Sequence, residues 1–142
     1  MSSTQSARTS GSPAPAPRGA VLIVEDEVLI RFALADFLRD NNFKVYEAHN
    51  GEEAIQLLSF YKTEIDVVFS DVRLPGGVDG FTLAQWVGRY RPEAAVILGT
   101  GYPIDLAGAA TAALTIFVKP YDLKSVRRAI EASMRRHRQE HE

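Results

Sequence analysis

Five apolar runs alternate along the chain with segments in which apolar and polar positions repeat. Most of these runs lack a polar residue at every second position, which is typical of strands buried on both faces of a parallel sheet. We predict strands over residues 20–24, 43–48, 65–71, 94–98 and 116–118.

The segments between the runs repeat apolar residues every three or four positions, the period of a helix with one buried face. The first helix carries this stripe at Ile30, Ala33, Leu34, Phe37 and Leu38. Further helices are predicted after a capping residue at Asn50, over 80–90, over 105–113 and after Asp122. Short connections and right-handed crossovers then give five βα units in a doubly wound five-stranded parallel sheet, a three-layer α/β sandwich.

The first residues do not share this pattern. Residues 1–19 contain mainly Ser, Thr, Ala, Pro and Gly, so they bury too little apolar surface to offset the entropy of ordering. We predict a disordered leader over 1–19, a folded domain over 20–138 and a short tail over 139–142. The leader is interpreted as a flexible tail or vector remnant rather than a functional arm. No output domain is expected to follow.

Composition narrows the functional classes. The chain has no cysteine, which excludes disulfides, thiolate metal sites and a cysteine nucleophile and fits a cytoplasmic protein. The net charge of −2 and the lack of a long apolar run give no reason to expect nucleic acid or a membrane as partner. Glutamates dilute the arginines of the last helix, so we interpret that helix as a solvated face.

Polar side chains gather where the predicted strands end. Glu25 and Asp26 follow the first strand and Asp71 ends the third. Thr100 follows the fourth strand and Lys119 the fifth. Because the carboxyl ends of parallel strands meet at one edge of a sheet, we expect these side chains to lie together.

Such a group favours a cation and a phosphoryl group. Carboxylates about 5 Å apart repel by roughly 3 kcal/mol per pair, so the three acids should recruit a cation, and oxygen ligands suit Mg²⁺. Asp71 can accept a phosphoryl group as an acyl phosphate. The Lys119 ammonium and the Thr100 hydroxyl, beside a glycine-rich loop, offer the donors that phosphoryl transfer requires.

Four motifs in this order carry a resemblance to a known family. They are VEDE at 24–27, FSDVRLP at 69–75, LGTG at 98–101 and VKP at 118–120. Over about residues 20–137 the chain resembles the receiver domain of bacterial two-component response regulators. The resemblance implies a flavodoxin-like (βα)5 fold with a cis Lys119–Pro120 peptide bond.

The resemblance also implies roles for individual residues. Asp71 would be the phosphoacceptor, Lys119 would contact the phosphoryl group, and Thr100 would supply a switch hydroxyl. A Mg²⁺ or Mn²⁺ ion would be held by Glu25, Asp26, Asp71 and the backbone carbonyl of Arg73.

The implied function is that of a stand-alone, single-domain response regulator. It would take its phosphoryl group from a sensor histidine kinase or a histidine phosphotransferase and would catalyse only its own phosphorylation and dephosphorylation. It would signal to a downstream protein through the face formed by helix 4, strand 5 and helix 5, which is also a candidate homodimer surface.

Some features depart from the common pattern. Ile116 stands three residues before the lysine, where many receivers carry an aromatic switch residue, and the turn over 75–80 is one residue longer. Two alternative functions stay open, although the complete set of acids, threonine and lysine argues against the first. One is a receiver-like module that docks partners without phosphorylation. The other is an aspartyl-phosphate phosphatase, although such enzymes usually carry an acid where this chain has Arg73.

Overall fold

The computed structural model describes residues 15–60, 64–112 and 114–140. In these residues five strands alternate with five helices. The strands are β1 (Ala20–Val24), β2 (Lys44–Ala48), β3 (Val67–Asp71), β4 (Ala95–Thr100) and β5 (Thr115–Val118). The helices are α1 (Val28–Asp40), α2 (Gly51–Phe60), α3 (Gly80–Tyr90), α4 (Asp105–Thr111) and α5 (Leu123–Glu140).

The strands form one parallel sheet in the order β2-β1-β3-β4-β5. The order reverses between β1 and β3, and in open α/β sheets ligands bind beside the carboxyl ends of the strands at such a point. The predicted doubly wound five-stranded sheet is therefore confirmed, and its reversal point lies between the acids after β1 and Asp71 at the end of β3.

Two apolar layers cover the sheet. On one face Ile23, Phe69 and Ile97 pack with Leu34 of α1 and Ile130 of α5. The opposite face is covered by α2 and α3 through a second buried cluster. Its central residues are Leu22, Val68, Leu58, Leu83 and Val87. These two layers fix the strand ends as a rigid rim.

The structure differs from the predicted elements at several ends. β4 continues two residues beyond the apolar run, because Gly99 and Thr100 keep the parallel pairing with β5. On α1, Ala33 is exposed and Ala35 is buried in its place. The predicted cap is confirmed, since the Asn50 side chain accepts a hydrogen bond from the Glu53 backbone N–H at 2.8 Å.

The predicted outer segments fall partly outside the described residues. Residues 1–14 of the predicted leader lie outside them, as do residue 113 of the predicted fourth helix and residues 141–142 of the predicted tail. α5 ends at Glu140. None of the helices in the described part of the chain is both long and apolar enough to span a membrane.

Candidate functional site

Three carboxylates meet at the carboxyl edge of the sheet. Glu25, Asp26 and Asp71 each place an oxygen within 4.8 Å of the others. Glu25 and Asp71 are buried, with 3% and 6% of their surface exposed, whereas Asp26 is exposed. A compact set of carboxylate oxygens open to water on one side fits a hard divalent cation that keeps some of its water ligands.

Lys119 supplies the positive charge of this group. Its Nζ lies 3.0 Å from Glu25 Oε1, 3.1 Å from Asp71 Oδ2 and 3.4 Å from Glu27 Oε1. The backbone of Lys119 is tied to β4, because the Lys119 N–H donates to the Thr100 carbonyl at 2.8 Å. The Lys119–Pro120 bond is cis, as the resemblance implied. The predicted meeting of lysine and acids is therefore present.

Burial and neighbouring charges shift the pKa values of both Asp71 and Lys119. Burial, with the nearby Glu25 charge, raises the pKa of Asp71 to about 6, although Lys119 acts in the opposite direction. Burial alone would lower the pKa of Lys119, but hydrogen bonds and charges from Glu25 and Asp71 outweigh it and leave the pKa raised. The lysine therefore stays an ammonium, and Asp71 ionises closer to neutral pH than an ordinary aspartate does.

Thr100 ends β4 as a fully buried residue. Its hydroxyl donates to Asp105 Oδ2 at 2.7 Å and accepts a hydrogen bond from the Tyr102 backbone N–H at 3.0 Å. The sequence pattern suggested a hydroxyl donor for an anion on Asp71. In this structure the donor is engaged by the first residue of α4 instead.

Arg73 joins the same contacts through its side chain. Its Nε and Nη2 donate to the two Asp105 carboxylate oxygens at 3.3 Å each, and its guanidinium lies 4.0 Å from the centre of the Tyr102 ring. The sequence pattern gave the backbone carbonyl of Arg73 a place in the site but gave none to its side chain or to Asp105. An acid at the start of a helix that follows the Thr-Gly loop was the available signal.

Tyr121 is a further residue near the site that the sequence pattern does not predict. Its ring packs edge-on against Phe69 with 5.3 Å between centroids. Its hydroxyl is buried and has no hydrogen-bond partner among the described residues. Burial, reinforced by the charges of Asp71 and Glu25, raises its pKa, so it remains a protonated phenol.

The Tyr121 ring covers a gap in the side chains of β4. A Cβ atom at Gly99 would lie 2.0 Å from the Tyr121 hydroxyl oxygen, and Gly99 is the strand neighbour of Asp71. Ile116 of β5, by contrast, is half-buried, pairs with Leu98 of β4 and has neither a ring nor a hydroxyl. One aromatic ring that packs on Phe69 of β3 thus comes from Tyr121, in the segment after Lys119.

Comparison with known proteins agrees with this geometry. The family described as response regulator receiver domain matches residues 21–131. The chain is 35% identical over 134 residues to the transcriptional regulatory protein PdtaR of Mycobacterium tuberculosis. The alignment covers 92% of this chain and 63% of PdtaR. The chain thus spans less than two thirds of that relative.

Solved structures show the same architecture. The receiver domain from the hybrid histidine kinase CckA is 33% identical, with a TM-score of 0.70 over 82% of this chain and 99% of that one. The response regulator TrrA from Thermotoga maritima, solved in complex with Mg²⁺ and BeF, is 26% identical, with a TM-score of 0.70 over 81% of this chain and 98% of TrrA. The flavodoxin-like fold is therefore confirmed.

The family explains the character of the site. Receiver domains are generally signalling modules rather than enzymes. They bind Mg²⁺ at an acidic pocket, and Glu25, Asp26 and Asp71 form such a group here. The fold, the acidic group at the strand ends and the family match over residues 21–131 together show what this chain is. It belongs to the response regulator receiver domain family of two-component phosphorelay signalling.

Proposed function

We propose that this domain accepts a phosphoryl group on Asp71 from the phosphohistidine of a sensor histidine kinase or a histidine phosphotransferase. The supporting observation is the environment of Asp71, which is buried between Glu25 and Asp26 on one side and the Lys119 ammonium 3.1 Å away. A carboxylate in that setting is a nucleophile with a counter-charge already placed for the oxygens of the incoming group.

In the proposed transfer a carboxylate oxygen of Asp71 forms a bond to phosphorus as the bond from phosphorus to the histidine nitrogen breaks. Mg²⁺, or Mn²⁺, when bound, would neutralise charge on the phosphoryl oxygens. The Glu25, Asp26 and Asp71 carboxylates, with the Arg73 backbone carbonyl, would hold the ion. Lys119 would then pair with a phosphoryl oxygen.

The phosphorylated domain would signal through a change of shape. A phosphoryl group adds charge and acceptor oxygens at Asp71, and Thr100 and Lys119 would bind those oxygens best in one arrangement of the loop after β4. We place the output on the face formed by α4, β5 and α5, which would meet a downstream protein or a second copy of the domain. The stand-alone state and the cytoplasmic location stay predictions.

A small phosphodonor tests this function directly. With Mg²⁺ and phosphoramidate, the wild-type protein should gain the mass of one phosphoryl group, whereas Asp71→Asn should gain none. Asp36→Asn, an exposed acid on α1, is the matched control and should react as the wild type does. A chelator should prevent the gain.

The same experiment separates the alternatives. If the wild type stays unmodified while a known receiver reacts, the domain is a docking module that works without phosphorylation. If it turns over a generic phosphate ester and Asp71→Asn abolishes that turnover, it is a phosphatase. The residue two positions after Asp71 argues against this second possibility, because it is Arg73 and not the acid that such phosphatases usually carry there.

A further inference from the structure

We propose that Asp105 is a positioning residue that withholds the Thr100 hydroxyl from the phosphorylation site until a phosphoryl group competes for it. This inference rests on the proposed function, because it concerns the resting state of the Thr100 donor. It adds a residue that none of the four motifs contains, and it assigns α4 a direct connection to the chemistry at Asp71.

The first step concerns a single proton. A threonine hydroxyl has one hydrogen to donate, and in this structure it goes to Asp105 Oδ2 at 2.7 Å. The Tyr102 N–H occupies an acceptor position of the same oxygen at 3.0 Å. The hydroxyl therefore cannot donate to an anion on Asp71 without releasing Asp105.

The second step concerns what holds Asp105. Arg73 pairs with both of its carboxylate oxygens at 3.3 Å, and the same guanidinium lies against the Tyr102 ring at 4.0 Å. Together Thr100, Tyr102, Arg73 and Asp105 form a closed set of contacts, which we call the Thr100–Asp105 network. Since Arg73 lies two residues after Asp71, the network ties the phosphoacceptor loop to the first residue of α4.

The third step concerns α4, the helix that begins at Asp105. α4 has seven residues, and Ala109 is its only buried residue among those described. A short helix with so little buried surface opens at low cost, so the loss of one contact at its first residue should shift it. This route does not require an aromatic side chain at Ile116, and it gives the phosphorylated state a means to reach α4.

The test measures binding of beryllofluoride, a phosphoryl mimic, to the Mg²⁺-loaded protein by ¹⁹F NMR. Asp105→Ala should bind the mimic about tenfold more tightly, because a hydrogen bond to a charged group no longer competes for the hydroxyl. Thr100→Val should bind it more weakly. The double variant Asp105→Ala/Thr100→Val should bind as Thr100→Val does, because Asp105 acts only through the hydroxyl.

Other outcomes overturn the inference in distinguishable ways. If Asp105→Ala binds as the wild type while Thr100→Val binds weakly, Asp105 does not compete and the proposed function stands. If Asp105→Ala tightens binding equally in both backgrounds, the effect is the loss of a negative charge and not release of a hydroxyl. If Asp71→Asn still shows the bound ¹⁹F signal, the proposed function itself fails. Thermal melts of each variant confirm that it folds.

Discussion

Asp71 is a carboxyl group that its surroundings make hard to ionise. Burial raises its pKa from 3.8 to about 6, and the Glu25 charge adds to the effect. Between these two values the folded protein binds more protons than the unfolded chain. The contribution of Asp71 to the free energy of unfolding is therefore present below pH 3.8 and is lost as the pH rises through about 6.

We therefore predict that Asp71→Asn stabilises the metal-free protein at pH 7. The expected gain is about 1–2 kcal/mol, below the full linkage value because water reaches one side of the pocket. Urea unfolding in the presence of a chelator, from pH 4 to pH 7, measures it. The gain should shrink toward pH 4, and an equal gain at both ends of this range would contradict the ionisation of Asp71 as its cause.

Replacement of Lys119 should have the opposite effect. Lys119→Met removes the ammonium between Glu25 and Asp71 and leaves two buried carboxyl groups without a counter-charge. We expect a loss of about 2 kcal/mol in the free energy of unfolding at pH 7 and a smaller loss at pH 5, where Asp71 can take up a proton. Lys124→Met, on the exposed side of α5, is the control and should change little. A similar loss in both variants would show that the charge cluster is not responsible.

The sequence predicted these central residues because their positions follow from strand ends alone. Asp71, Glu25 and Lys119 each lie at or just beyond the last residue of a parallel strand, and the topology of the sheet brings such positions together. Asp105 and Tyr121 reach the site from a helix start and from the segment after Lys119. The sequence shows an acid at the start of the helix after the Thr-Gly loop, but the contacts of Asp105 and Tyr121 depend on side-chain packing in three dimensions.

At the level of elements, β4 shows how packing selects a residue. Gly99 lies under the Tyr121 ring, and a Cβ atom there would meet the hydroxyl oxygen at 2.0 Å and the adjoining ring carbon at 2.6 Å. The ring in turn packs against Phe69 of β3, two residues before Asp71. A glycine at this position lets the aromatic ring lie directly on the strand.

Gly99→Ala should therefore displace Tyr121. We expect a loss of about 1–3 kcal/mol, the usual cost of overpacking a core position, together with a change in near-ultraviolet circular dichroism from the displaced ring. Gly101→Ala is the matched control, because a Cβ atom there meets nothing within 4 Å. If both variants unfold alike, the close packing of Tyr121 on β4 does not constrain this strand.

The elements themselves were largely predictable, and the misplaced ends have a physical reason. The apolar run ends at Leu98, yet β4 continues through Gly99 and Thr100 because their backbone still pairs with β5. Ladder hydrogen bonds do not require an apolar side chain, so the hydrophobic pattern underestimates the strand. On α1 the period of the stripe allowed either Ala33 or Ala35 to face the core, and only packing decides that Ala35 does.

At the scale of the whole molecule, a metal ion should stabilise the fold. A ligand that binds only the folded state raises the free energy of unfolding, by about 2.7 kcal/mol at a hundred times its dissociation constant. We expect saturating Mg²⁺ to raise the melting temperature of the wild type by several degrees and to have little effect on Asp26→Asn. Asp26 is exposed, so its replacement costs the core nothing.

Asp40→Asn, at the opposite end of α1, is the control and should respond to Mg²⁺ as the wild type does. A melting temperature that rises equally in all three proteins would mean that the ion acts on general surface charge. A titration at constant ionic strength separates that screening effect from binding at the acidic group.

The placement of Lys119 sets an order in which the proposed site fills. Its ammonium lies within 3.4 Å of carboxylates from Glu25, Glu27 and Asp71, so it serves as the resident counter-ion. A divalent cation held by the Glu25, Asp26 and Asp71 carboxylates would supply that counter-charge instead, and the Lys119 ammonium would then be free to pair with an arriving anion. The domain should then bind the metal ion before it accepts the phosphoryl group. Without the metal ion, a kinase would meet an Asp71 carboxylate that is still paired with Lys119.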